Sequence, residues 1–157
     1  MPEEYRNIYK IARRARGYTQ EAAAERLGIS TESIRAYETG LRVPPNEVVQ
    51  LMALCYDANY LPYQHLMESN KLAQLIIPSI EERSVLAVAV SIYNRLREFD
   101  AKHSVQRLLA IAEDNCITEE ERPEFDAIVS DLREILKCGM ELQVYGCAPG
   151  QTGGADG

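Results

Sequence analysis

Histidine is scarce in this chain, and the motifs of the large enzyme classes are missing. Only His65 and His103 occur. There is no H-E-x-x-H pair, no Gly-rich phosphate loop and no G-x-S-x-G elbow, so metal-dependent, nucleotide-dependent and nucleophilic catalysis lack their usual residues. The expectation is a protein that is not an enzyme and uses no metal and no cofactor. Four cysteines, Cys55, Cys116, Cys138 and Cys147, lie far apart with no C-x-x-C pair, which argues against zinc and for reduced cytosolic thiols. Glu119, Glu120 and Glu121 lack the alternating Asp, Asn and Gly of a calcium loop. No stretch approaches the roughly eighteen apolar residues of a membrane span. The opening MPEEYRN has no apolar signal region, so the expected location is the cytoplasm.

Positive charge is also in short supply, with a formal net charge of -7. The shortage is uneven. Residues 1–42 hold eight Lys and Arg against six Asp and Glu, whereas residues 71–157 hold nine against fifteen. A phosphate feels the local field over about one Debye length, roughly 8 Å in physiological salt. A mildly basic amino-terminal face ahead of an acidic body predicts moderate nucleic-acid affinity, strong salt dependence and reliance on a dimer.

What the chain does have is helix patterning from end to end, with no credible strand. Its most informative stretch is residues 17–45, GYTQEAAAERLGISTESIRAYETGLRVPP. Thr19 is placed to cap a helix over Gln20–Leu27, Gly28 supplies its left-handed stop, and Ser30 caps a second helix that runs to Gly40. Helix, short turn with Gly, helix is the helix-turn-helix signature. In such a unit the second helix enters the major groove with its first residues toward base edges. Those positions are Ser30, Thr31, Glu32, Arg35 and Ala36, while Ile34 and Tyr37 point inward. Arg35 can take guanine O6 and N7 in two bonds or clamp a phosphate, Glu32 can accept from cytosine N4 or serve the helix dipole, and the Thr31 methyl can meet a thymine methyl.

The same residues resemble the lambda-repressor-like (Xre/Cro/C1-type) helix-turn-helix family. That family's pattern runs from an Arg through G-hydrophobic-T-Q-E-x-hydrophobic-A and L-G-hydrophobic-S to S-I-x-x-hydrophobic-E-x-G-x-R-x-P. This chain matches it at Arg13, Gly17, Tyr18, Thr19, Gln20, Glu21, Ala24, Leu27, Gly28, Ile29, Ser30, Ser33, Ile34, Tyr37, Glu38, Gly40, Arg42 and Pro44. Ala23 departs from it where the family usually has Leu, which predicts a shallower anchor for that helix. The resemblance covers about residues 4–68. It implies a five-helix domain that binds double-stranded DNA, with Gln20 on a phosphate and Arg13 paired with Glu38. Thr19, Ser30, Thr39 and Arg42 are the further candidates for phosphate contact.

Around this motif the periodicity predicts a first helix over residues 4–16 with Ile8, Ile11, Ala12 and Ala15 on one face. A fourth helix from Pro45 or Asn46 to Tyr56 carries Val48, Leu51, Met52 and Cys55, and a short fifth covers residues 60–68. The expected core is Ile8, Ala12, Tyr18, Ala24, Leu27, Ile29, Ile34, Leu51 and Leu66. Tyr56, Tyr60 and Tyr63 are expected to pack against the carboxy-terminal helices, and His65 to be an ordinary helix-five residue. Residues 71–78 read as a linker. Ser79 and Glu82 form a capping box ahead of a long helix with Leu86, Ala89, Val90, Tyr93, Leu96 and Phe99 at helical spacing, continuing toward Leu108, Leu109 and Ala112; a bend near residues 100–104 is left open. A last helix follows a Thr118–Glu121 box, carries Phe125, Ile128, Val129, Leu132, Ile135 and Leu136, and stops at Gly139. Residues 140–157 read as a disordered tail.

The expected architecture is therefore all-α: residues 1–70 a DNA-binding domain, residues 79–139 a helical region for oligomerisation. Two helices with broad apolar faces need either the amino-terminal domain or a second copy to cover them, and the expectation is a symmetric homodimer through residues 79–139. They are too few for a repeat array, and nothing after residue 70 is β-rich as a self-cleaving repressor domain would be. The expected function is a DNA-binding transcriptional regulator, acting as a repressor on a palindromic operator. The rival readings are an antitoxin whose carboxy-terminal helices hold a toxin, and a protein–protein module without DNA binding.

Overall fold

Asn7 opens the first helix by accepting a hydrogen bond from the Lys10 amide at 2.9 Å through its side-chain oxygen, an N-cap that satisfies one of the amides a helix start leaves unpaired. The computed structural model describes residues 7–146. Within them it places α1 (Ile8–Ala15), α2 (Gln20–Leu27), α3 (Thr31–Glu38), α4 (Asn46–Tyr56), α5 (Leu61–Ser69), α6 (Lys71–Ile76), α7 (Val85–Ala101), α8 (Ser104–Ile111) and α9 (Arg122–Gly146). The described residues contain no strand. They divide into two units, residues 7–76 and residues 77–146, and no helix among them is long and apolar enough to cross a membrane.

The amino-terminal unit packs α1, α4 and α5 around the α2–α3 pair. Its core holds Ile8, Tyr9, Ala23, Ala24, Leu27, Ile34, Tyr37, Val49, Met52, Tyr56 and Leu61, with Ala12, Tyr18 and Ile29 packed partly against it. Ile34 and Ala23 are fully buried at 0% exposure; burying an isoleucine side chain is worth about 1.5–3 kcal/mol. Ala23 therefore sits at the centre of the packing, its small size letting α2 come close where a Leu would hold it off.

Several expectations are corrected here. On α1, Ile11 and Ala15 face solvent, and only residues from Asn7 onward are described, so residues 4–6 of the expected helix lie outside them. Leu51 and Leu66 are exposed at 47% and 38%. On α4 the buried stripe is Val49, Met52, Ala53 and Tyr56, a second set at helical spacing that competes with the expected one and fits the α1 and α2 surfaces. Tyr56 fills this core and meets Tyr18 with ring centroids 6.3 Å apart, instead of facing the later helices. Tyr60 and Tyr63 stack on each other at 5.3 Å.

His65 is more than the ordinary helix-five residue expected. It is 6% exposed, and its Nδ1 lies 2.8 Å from the Tyr9 hydroxyl while its Nε2 lies 3.1 Å from Asn46 Oδ1. An amide oxygen only accepts, so Nε2 carries the proton and Nδ1 accepts from Tyr9. Burial pushes the imidazole below its ordinary value of 6.5. The folded state thus favours neutral His65, and the stability this gives is complete above about 6.5 and drains as pH falls through that value toward the lower folded pKa. Urea midpoints should fall from pH 7 to pH 5 more steeply in the wild type than in His65→Gln; parallel curves would place the titration elsewhere.

In the carboxy-terminal unit, α7 and α9 pack along each other and α8 closes one end. Its core is small: a cluster of Phe99, Ile111 and Ile128, with Leu108, Ile117, Phe125 and Ile135 against it, and Ile80, Val88 and Cys138 buried besides. The chain bends between α7 and α8, because Asp100 to Ser104 contains His103 in the left-handed region at φ 51°. Three other boundaries differ from expectation. Residues 71–76 are α6, packed on α5, so the linker is shorter. Helix α7 starts at Val85, capped by Ser84, whose hydroxyl accepts from the Ala87 amide at 3.2 Å; the Ser79 and Glu82 pair starts no helix. Gly139 does not end α9, which runs to Gly146 and so takes in residues 140–146 of the expected tail; residues 147–157 lie outside the described part. The reason is tertiary: Glu141, 2% exposed, accepts from the Glu81 amide and Arg83 Nη1, each at 3.2 Å, and holds that last stretch in place. The Thr118 and Glu121 box does form, with reciprocal bonds of 2.9 and 3.3 Å.

Candidate nucleic-acid interface

The turn between α2 and α3 is built by short-range rules. Gly28 sits at φ 66°, where a side chain would be strained. Its amide reaches Glu25 O at 3.3 Å and the Ile29 amide reaches Ala24 O at 3.1 Å, the paired bonds of a Schellman stop. Ser30 then accepts from the Ser33 amide at 3.1 Å and opens α3. Ile34, Tyr37 and Glu38 face the core, so Thr31, Glu32, Arg35 and Ala36 are left on the outer side. The four line one shallow groove of about 360 Å³. Among the described residues the Arg35 guanidinium makes no hydrogen bond and no ion pair, leaving all its donors for a ligand.

A buried ion pair sets the angle of this helix. Arg13 Nε and Nη2 donate to the two carboxylate oxygens of Glu38 at 2.5 and 2.9 Å, and Nη1 donates to Tyr18 O at 2.5 Å. Both residues are 6% exposed. Burial pushes the Glu38 carboxyl up, but the hydrogen bonds from Arg13 and Gln20 and the charge of Arg13 outweigh it, leaving the carboxyl below its ordinary value. The same Glu38 bond raises the Arg13 guanidinium. Asn7 Nδ2 adds a 2.8 Å bond to Tyr37 O. The start of α1, the end of α3 and the start of α2 are thereby tied together.

The candidate phosphate contacts divide into two kinds. Thr19 accepts from the Ala22 amide at 3.1 Å, which leaves its O–H to donate. Gln20 Nε2 donates to Glu38 Oε2 at 2.9 Å; this fixes which side of the amide is nitrogen and leaves the second N–H for a phosphate. Ser30, Thr39 and Arg42 are engaged within the domain. The Ser30 hydroxyl donates to Ser33 Oγ at 2.9 Å. Thr39 Oγ1 donates back to Arg35 O at 2.8 Å. Arg42 lies over the Tyr37 ring at 4.9 Å and donates from Nη2 to Ser33 Oγ at 2.8 Å. Arg42 thus clasps the outer side of α3, a role its sequence position did not signal.

A helix-turn-helix family model matches residues 10–59. Those residues are a lambda-repressor-like helix-turn-helix domain. Domains of this family belong to DNA-binding regulators. Comparison with curated proteins and with solved structures gave no match. In the helix-turn-helix domain the structure adds one residue that no motif or period marks. Leu41 joins Thr31, Glu32, Arg35 and Ala36 around the groove and is 84% exposed. An apolar residue between Gly40 and Arg42 in a loop gives no periodic signal, so only its placement singles it out.

Proposed function

We propose that this protein is a sequence-specific transcriptional regulator that represses by occlusion, binding a near-palindromic operator as a homodimer in the cytoplasm of a prokaryotic or phage-infected cell. The observation that carries the DNA reading is the outer side of α3: four residues with base-reading chemistry on a helix whose other side is fixed by the Arg13–Glu38 pair. Thr31, Glu32, Arg35 and Ala36 are the proposed base readers. The α2 amino terminus, with Thr19 and Gln20, is the proposed phosphate anchor.

The dimer reading is supported by the carboxy-terminal unit. Arg95–Glu134 and Lys102–Asp131 ion pairs, at 2.9 and 3.0 Å, join α7 to α9 along one flank. Leu86, Tyr93 and Leu96, exposed at 74%, 61% and 49%, recur at helical spacing on the side of α7 turned away from Arg95. Leu132 and Leu136 do the same on α9. A core this small leaves apolar surface that a second copy would cover, as homodimeric helical interfaces do. The same stripes support a second reading, in which they seat a different protein, as in an antitoxin.

Binding selection from a random duplex library at near-physiological salt tests the reading. An inverted repeat with half-site centres about 34 Å apart, together with a dimeric mass in sedimentation, is the expected result. No enrichment above background would overturn DNA recognition. A monomeric mass for the pure protein, or a single unpaired half-site, would overturn the homodimer.

A further inference from the structure

Leu41 is an exposed residue that is nonetheless held in place. The Gly40 amide before it donates to Tyr37 O at 3.3 Å, and the Arg42 amide after it donates to Ala36 O at 3.1 Å. Arg42 is clasped to Ser33 and Tyr37 by its side chain, and Pro44 beyond it is fully buried. The loop is thus stitched to the last turn of α3 on both sides of Leu41. The backbone at Leu41 is thereby fixed, and its exposed apolar side chain lines the groove together with Ala36 and Thr31.

The Leu41 and Ala36 side chains in this groove carry no donor, so a phosphate oxygen gains nothing from them. The same groove is lined by Arg35 and Glu32, which suit the polar edges of bases. Apolar side chains next to base-edge donors and acceptors match one feature of the major groove, the 5-methyl group of thymine. Resting on the DNA-binding reading above, we infer that Leu41 is a specificity-determining residue that reads a thymine methyl in each half-site, next to the base pair contacted by Arg35. Position 41 is an unspecified x in the family pattern, so the preference belongs to this chain and not to the motif.

Replacing thymine by uracil deletes only that methyl, which makes the test direct. On the selected operator, uracil would be substituted at each thymine in turn, symmetrically in both half-sites, against wild type and Leu41→Ala. One symmetric position is expected to weaken wild-type binding about fifteenfold, the scale of a buried methyl at each of two sites. Leu41→Ala should bind the thymine operator more weakly and should not distinguish thymine from uracil at that position. Leu41 is exposed, so the fold of the variant is expected to be unchanged, and hydrogen exchange at the α3 amides checks it. Specific binding with no uracil-sensitive position, or with the same sensitivity in Leu41→Ala, would overturn the assignment while leaving DNA recognition standing. Wild-type protein that enriches no duplex would overturn both.

Discussion

Glu38→Ala is expected to cost the amino-terminal unit about 3–5 kcal/mol, the range for removing one partner of a buried pair. The side chains of Arg13 and Glu38 are 7% and 3% exposed. Without the carboxylate the Arg13 guanidinium keeps its bond to Tyr18 O but remains a desolvated charge. Replacing both partners, as Arg13→Met with Glu38→Leu, removes that charge, so the double variant should lose less than either single one. Urea unfolding, resolved by hydrogen exchange at α1 and α3 amides, measures each loss. A cost below about 1 kcal/mol, the scale of an exposed pair, would mean that water reaches the site. The pH dependence has a definite sign. With the folded Glu38 carboxyl below its ordinary 4.5, its stabilisation is present above that value and is lost as pH falls through it toward the folded pKa.

Arg35→Ala should have the largest effect on recognition, about 1–3 kcal/mol on the preferred operator and little on random duplex. That is a loss of roughly five- to 150-fold in operator affinity, at about 1.4 kcal/mol per tenfold. Its side chain is exposed and makes no bond within the described residues, so folding stability should hardly change. The salt slope separates its two possible contacts. A base reader leaves the dependence of affinity on salt unchanged, whereas a phosphate clamp lowers the slope by about one when removed. Equal losses on operator and random duplex, with a reduced slope, would reassign Arg35 to the backbone.

The boundaries of α2 and α3 were legible because each depends on residues at most five apart. Thr19 caps through Ala22, Gly28 stops through Glu25, and Ser30 caps through Ser33. The outward set Thr31, Glu32, Arg35 and Ala36 follows from the same local period. Boundaries failed where distant residues decide them. Gly139 reads as a stop until Glu141 meets Arg83 and the Glu81 amide. Leu51 and Leu66 read as core because apolar spacing alone does not say which of two overlapping stripes on α4 and α5 meets a neighbour.

Sequence by itself determined the all-helical class, the helix-turn-helix, its caps and the side of α3 that is left outward. These rest on backbone bonds and side-chain periods that close within one or two turns. Only the tertiary structure decided that Arg42 is bonded back to Ser33 of α3, that His65 is a buried link between Tyr9 and Asn46, and that Leu41 lines one groove with Arg35. Each of these depends on where a separate segment brings an acceptor, a ring or an open edge. Chain-local energies do not carry that information; it arises when packing of the whole unit settles which polar groups find partners and which apolar surface is left uncovered.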